Sequence, residues 1–218
     1  MFYLKAVMKN FLIISFILFH VASVWAAGPD QLAFSWAFIL KSGDGQIKAL
    51  DFEAPEPVSE GELLRIYLEL RDGAFVYLYL FDSREDLYLV FPPSSSFYDG
   101  EIPPGYKSYI PSGRKWFSLD NIKGTERFYL LASNERLAEL EELTDRFLIA
   151  KEPELKRQVV EKLDEISEKF AVGAVYDVEP APVQAGEWLG GGDSLPLVNS
   201  HKILVTGSYG AVLDMVNK

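Results

Sequence analysis

The chain contains no cysteine and only two histidines among its 218 residues. Without cysteine it can form neither a disulfide bond nor a thiolate metal site, and it has no thiol nucleophile. His20 falls in the predicted leader described below, so His201 is left as the single histidine. A metal site built on two histidines is therefore excluded as well.

Basic residues are also scarce. The sequence has 21 lysines and arginines against 32 aspartates and glutamates, which gives a formal net charge of −11. No segment forms the basic patch that binding to a polyanion requires. DNA, RNA and anionic lipid are therefore not expected as partners.

Residues 1–26 have the organisation of a secretory signal peptide. Lys5 and Lys9 supply a positive n-region, and residues 11–24 form a short apolar h-region. A membrane anchor is the alternative, but a spanning helix needs roughly 20 apolar residues. We therefore expect export to the periplasm or the exterior, with no stable membrane insertion after the signal is cleaved.

The residues near the cleavage site leave two details of the leader open. Small residues place cleavage after Ala26, with Ala27 as the neighbouring alternative. Either Met1 or Met8 serves as the start. The rest of the chain, residues 27–218, has the length of a single domain.

A β-rich region is predicted over about residues 34–132. Apolar and polar residues alternate over 64–70, which is typical of a strand with one buried face. Asp72-Gly73 follows at once and indicates a two-residue hairpin, so a meander of strands is expected at 64–70, 75–81 and 87–91. Further strands are predicted at 34–40, 47–52, 116–119 and 127–132. Short strands separated by turns favour an antiparallel sandwich or barrel.

Helical periodicity replaces the β pattern over about residues 133–171. Ser133 is predicted to cap the first helix, and Pro153 to begin the second. A Gly- and Pro-rich loop over 177–200 and a final strand at about 202–206 complete the chain. The expected fold is mainly β with an α-helical pair (α+β). It is an antiparallel β-sandwich with two helices inserted before a C-terminal strand.

One predicted strand is apolar on both faces. Its second face carries Phe75, Tyr77, Tyr79 and Phe81. These aromatics form either a stacking platform for a ligand or a second buried face covered by the two helices. The helices need an apolar partner, so burial is favoured.

The connection over residues 91–111 is dense in proline and aromatics. It is either a recognition loop or a rigid crossover that packs on the sandwich edge. Tyr98, Tyr106 and Tyr109 are its candidate binding residues, because a tyrosine ring offers a flat apolar face and a hydroxyl.

Two short motifs resemble functional sites but lack the residues that those sites require. Gly190-Gly191-Gly192 lacks the lysine and hydroxyl of a phosphate-binding loop and the spacing of a dinucleotide site. Ser200-His201 has no nucleophile elbow around it. No catalytic, cofactor-binding or metal-binding residue is therefore assigned, and no cofactor is expected.

Ordered short signatures run through the β-rich region. They are Arg71-Asp72-Gly73, the strand 76–81, Leu89-Val90-Phe91-Pro92, Pro103-Pro104, Ile110-Pro111, Trp116-Phe117 and the stretch 124–133. Over roughly residues 47–133 this order resembles the domain of unknown function 4384 family. The resemblance implies a β-rich, non-catalytic module of exported or multidomain bacterial proteins, and it carries over no catalytic residue.

The expected function is that of a non-catalytic exported binding or scaffolding module of a bacterial cell envelope. Its partner would be another envelope protein or a glycan. The alternative is a carboxylate-based hydrolase of cell-wall glycan, which requires two acids that face each other across a cleft.

Overall fold

The computed structural model describes residues 31–71, 74–171, 177–186 and 195–217. The predicted leader, Asp72-Gly73 and Gly190-Gly191-Gly192 lie outside these ranges. Within them, no helix has the length and apolarity that crossing a bilayer demands.

The described residues form twelve strands and two α-helices. In chain order the strands before the helices are β1 (Gln31–Lys41), β2 (Ile47–Ala49), β3 (Glu56–Val58), β4 (Leu63–Leu70), β5 (Phe75–Phe81), β6 (Leu87–Phe91), β7 (Tyr106–Ile110), β8 (Phe117–Ser118) and β9 (Gly124–Ser133). They are followed by α1 (Ala138–Ala150), α2 (Pro153–Ala171), β10 (Asp177–Gln184), β11 (Leu197–Thr206) and β12 (Ser208–Asn217). A short 3₁₀-helix, Ser95–Asp99, lies between β6 and β7.

The strands build two sheets. The first sheet has the order β10-β11-β1-β4-β7, with β2 paired to β1 and β8 paired to β4. The second sheet has the order β3-β12-β9-β5-β6. Apart from the parallel β3–β12 contact, the pairs are antiparallel. The predicted class is confirmed: the fold is mainly β with a helical pair, and its architecture is sandwich-like.

Strand β1 shows how the sequence separates two layers. Successive side chains of a strand point to opposite faces. Its large residues lie in the core between the sheets: Leu32, Phe34, Trp36, Phe38 and Leu40. The intervening positions Ala33, Ser35 and Ala37 are small and lie on the opposite face of the first sheet. The core is therefore filled on one side of β1, and space is left on the other.

The two helices cover the outer face of the second sheet. Tyr77 and Tyr79 of β5 are buried there. The Tyr77 hydroxyl donates to Glu141 Oε1 at 2.5 Å, and the Tyr79 hydroxyl lies 2.9 Å from Thr144 Oγ1, both on α1. The prediction that this aromatic face is buried under the helices holds for Tyr77 and Tyr79, whereas Phe75 and Phe81 at the ends of the strand are half-buried.

One of the two predicted helix starts agrees with the structure and the other does not. Pro153 is the first residue of α2, as predicted. Ser133 does not cap α1, and that prediction is wrong. It still belongs to β9, where it pairs with Phe75 and Ser208, and α1 begins only at Ala138. Strand pairing on both sides holds Ser133 in the sheet.

The predicted three-strand meander is also wrong. Strand β4 pairs with β1, β7 and β8 in the first sheet, whereas β5 pairs with β6 and β9 in the second. The chain therefore crosses between sheets after β4 instead of forming a hairpin. A turn motif in the sequence indicates that the chain changes direction, but burial decides which strand pairs with β4 and which with β5. Both β4 and β5 are buried along most of their length.

The predicted loop over 177–200 and the single final strand at 202–206 are corrected. Residues 177–184 and 197–206 form the antiparallel pair β10–β11, and β12 follows. Pro180 and Pro182 are two positions apart, so their missing N–H groups lie on the same side of β10. That side is the free edge of the sheet, where proline is tolerated.

Candidate functional site

The first sheet curls around its outer face. Strands β7 and β10 stand at opposite ends of the strand order, yet the Tyr109 hydroxyl donates to the Gln184 carbonyl at 3.1 Å. This hydrogen bond joins the two ends across the concave side. A pocket of about 680 Å³ lies there, lined by residues of β1, β4, β7, β10 and β11.

Ser35 of β1 lines the pocket between the small side chains of Ala33 and Ala37. It is 1 % exposed, and its hydroxyl has no hydrogen-bond partner among the described residues. Register places Ser35 opposite Glu69 on β4. The pocket therefore contains a buried hydroxyl whose donor and acceptor sites are both unused.

A hydrogen-bonded row on β4 forms the adjoining wall. The Tyr67 hydroxyl donates to Glu69 Oε2 at 2.8 Å, and Arg71 Nη2 lies 3.3 Å from Glu69 Oε1. Burial, followed by the contact with Glu69, raises the pKa of Tyr67, so its phenol stays protonated at neutral pH. Both oxygens of Glu69 are thus engaged, and the carboxylate is held in one place.

The rim of the pocket is cationic. Lys107 lies opposite Glu69 on β7 and is exposed, and no described residue forms an ion pair with it. The Arg71 side chain is 40 % exposed. The described lining therefore contains two cations, Arg71 and Lys107, against a single carboxylate, Glu69.

Arg65 supports one end of this face. It is 1 % exposed, donates from Nε to the Lys115 carbonyl at 3.0 Å and from Nη2 to the Gly113 carbonyl at 3.1 Å, and lies 4.5 Å from the centre of the Trp116 ring. A Cβ atom added to Gly186 would stand 2.1 Å from Arg65 Nη1. The backbone after β10 therefore packs directly on this guanidinium.

The three tyrosines predicted for binding do not share a surface. Tyr98 is 8 % exposed, and its hydroxyl accepts from the Val76 N–H at 2.8 Å and donates to the Val76 carbonyl at 2.5 Å. Tyr106 packs against Phe97, with ring centres 5.5 Å apart. Only Tyr109 of the three lines the pocket. Residues 106–110 are a strand and not a loop, so Tyr106 and Tyr109 point to opposite faces.

Replacing Tyr98 by phenylalanine is expected to destabilise the protein by about 1–3 kcal/mol, because the buried backbone groups of Val76 lose their partner. Strand β6 pairs with β5 only from Leu78 onward, so it does not take over these bonds. Urea unfolding followed by circular dichroism measures the change. Tyr106→Phe is the matched control and should change the free energy of unfolding by less than about 0.5 kcal/mol. Equal effects of the two changes would contradict this role for Tyr98.

Ser200 and His201 are separated by the strand that carries them. The Ser200 hydroxyl donates to the Ala181 carbonyl at 2.9 Å on the pocket side. The His201 ring stacks on Trp36 at 4.1 Å, which is on the core side. Burial lowers the pKa of His201 and favours its neutral form. The two side chains do not form a nucleophile and base pair.

Ser35, Tyr67 and Glu69 were not predicted as site residues from the sequence. The signal for Ser35 was the strict alternation of large and small side chains from Leu32 to Phe38, which leaves a groove on one face of β1. Among the described residues, no cluster of three or more histidines, aspartates and glutamates is placed to hold a metal ion.

Part of the chain matches a known protein family. No curated protein and no solved structure matches the chain. Residues 58–136 match the family described as "Domain of unknown function (DUF4384)". The match lies within the segment where the sequence signatures predicted it, with a short extension toward α1, and includes Tyr67, Glu69, Arg71 and Lys107 of the pocket, whereas Ser35 precedes it. Over residues 58–136 the resemblance to this family of unknown function, predicted from the sequence, is confirmed.

Proposed function

We propose that this protein is a non-catalytic binding module that holds a small polar ligand in the pocket of the first sheet. The observation that carries the proposal is the unpartnered hydroxyl of Ser35. A buried polar group without a hydrogen bond costs roughly 1–3 kcal/mol of stability. A ligand that bonds to Ser35 removes this cost, and the pocket volume of about 680 Å³ suits a ligand of monosaccharide size.

The fixed polar groups of the wall support binding over catalysis. Glu69 is engaged by Tyr67 and Arg71, and Ser200 donates to a backbone carbonyl. Neither group is left available as a base or nucleophile. Groups that are held in place before binding lose little freedom when the ligand arrives, which favours affinity.

The setting of the module is part of the same proposal. The leader with Lys5 and Lys9 supports export, so the ligand or partner would belong to the bacterial envelope, as a glycan or another envelope protein. N-terminal sequencing of the protein from its natural host tests export. A retained Met1 or Met8 contradicts it.

The hydrolase alternative would need a different site, because it requires a pair of carboxylates and the described lining of the first pocket contains a single one. A second cavity of about 490 Å³ lies between the sheets and is lined by Asp82, Asp120 and Glu126. Asp82 accepts two backbone N–H groups of its own turn, Asp120 pairs with Arg84 at 2.7 Å, and Glu126 accepts from the Ser83 hydroxyl at 2.8 Å. These bonds order the loops. Turnover of envelope glycan that is lost in Asp82→Asn or Glu126→Gln would favour the enzyme.

Ser35→Ala tests the binding function. The measurement is ligand-observed NMR with N-acetylglucosamine, N-acetylmuramic acid and N-acetylglucosamine 6-phosphate as probes. At least one probe should bind the wild type, and the substitution should weaken that binding about tenfold, because one ligand hydrogen bond is lost. Thermal stability should stay equal or rise, since the hydroxyl makes no bond within the described protein.

Ser167→Ala is the matched control. Ser167 is also buried with an unpartnered hydroxyl, but it lies on α2 against β12. This variant should bind the probes like the wild type. No binding of any probe to the wild type, or equal binding by Ser35→Ala, would overturn the proposed function.

A further inference from the structure

We infer that the ligand of this pocket is a small organic anion, whose carboxylate or phosphate is held by Lys107 and Arg71 while its polar body reaches Ser35. This inference rests on the proposed binding function and names the class of ligand. It follows from how the charges of the lining are paired.

The pocket has a cation in excess. Glu69 accepts a hydrogen bond from Tyr67 on one oxygen and pairs with Arg71 on the other, so its charge is matched by the residue that follows β4. Lys107 lies beside this row, on the neighbouring strand, with no ion pair to any described residue. The described lining therefore carries one net positive charge, in a chain whose formal net charge is −11.

The position of the cations fits a ligand that enters with its anionic end outward. Lys107 is exposed and Arg71 is partly exposed, whereas Ser35 is buried. A charged group bound at the rim keeps part of its hydration, and the neutral part of the ligand occupies the buried end. Hydrogen bonds between ionised partners are stronger than neutral ones.

The walls suit a body that has both hydroxyl or amide groups and an apolar face. The rings of Tyr67 and Tyr109 lie side by side with centres 5.1 Å apart. Tyr109 is half-buried and presents its ring to the pocket. Aromatic side chains bind the apolar face of a ring while hydroxyl groups are bonded elsewhere. Sugar acids and sugar phosphates share these properties.

Isothermal titration with three matched probes tests the inference. N-acetylglucosamine is neutral, N-acetylmuramic acid adds a carboxylate, and N-acetylglucosamine 6-phosphate adds a phosphate. At least one of the anions should bind about tenfold more tightly than the neutral sugar at low salt. This difference in affinity should shrink in roughly 0.5 M sodium chloride, where the Debye length is only about 4 Å and charges are screened. The anion that binds more tightly shows whether the pocket prefers a carboxylate or a phosphate group on its ligand.

Lys107→Gln should reduce the affinity for that anion to about the level of the neutral sugar. The affinity for the neutral sugar itself should not change. Lys123→Gln removes an exposed cation that lies outside the pocket lining, in the turn before β9, and should leave all three affinities unchanged.

The outcomes separate the two proposals. If neutral and anionic probes bind equally, or if Lys107→Gln keeps the preference for the anion, the anion inference fails while the binding function stands. If no probe binds the wild type, the binding function fails as well.

Discussion

Deletion of residues 208–218 is expected to abolish cooperative folding. The deletion removes β12, which lies between β3 and β9 inside the second sheet and pairs with β9 along its whole length. Leu213 and Met215 leave the core with it, and α2 loses part of the surface on which it packs. The net stability of a domain is only about 5–15 kcal/mol, which the loss of an interior strand exceeds.

Thermal melting by circular dichroism and size-exclusion chromatography check this result. The truncated chain should show no cooperative transition and should aggregate, because β9 is left with an open edge. Val212→Ser changes an exposed position of the same strand and should melt within a few degrees of the wild type. A truncated chain that melts like the full protein would show that β12 is not needed for the fold.

Replacement of Arg65 by methionine is expected to lower the free energy of unfolding by about 2–5 kcal/mol. The buried guanidinium is the donor for the carbonyls of Gly113 and Lys115 in part-buried hydrogen bonds, and a polar group that loses its partner away from water costs roughly 1–3 kcal/mol. Arg65→Lys should not restore stability, because one ammonium cannot reproduce the planar fork over Trp116.

Urea unfolding of the full chain gives the measurement. Arg146→Met is the control, since Arg146 is exposed on α1, and it should change stability by less than about 0.5 kcal/mol. The packing of Gly186 on Arg65 adds a second readout: the Arg65 variants should also bind the pocket probes more weakly. Wild-type stability in Arg65→Met would contradict the supporting role of this arginine.

Periodicity predicted the elements whose burial is set by their own sequence. The apolar faces of β5 and the helical stripe beginning at Pro153 match the structure. The alternation in β4 correctly predicted a strand, but both of its faces are buried and not one. The partners of β4 and β5 were not predictable, because Asp72-Gly73 signals a reversal of the chain and not the identity of the neighbouring strand. Strand β10 was hidden by its prolines, which only an edge position makes acceptable.

The pocket was hidden for a related reason. The polar face of β4, with Tyr67 and Glu69, reads as solvent-exposed in the sequence. It is buried because β10 and β11, more than a hundred residues later, curl over it. Tyr98 shows the opposite error: it was predicted to lie at a binding surface, but its ring and hydroxyl are part of the core beside Val76. Long-range packing, and not local pattern, decides both cases.

The order of the strands also sets when the domain is able to fold during synthesis. Strand β1, near the start, pairs with β11, and β9 pairs with β12, so neither sheet closes before the C-terminal strands have left the ribosome. Contacts between segments so distant in sequence form slowly, on a scale of about milliseconds to seconds. Folding into the complete two-sheet domain therefore follows the synthesis of β11 and β12.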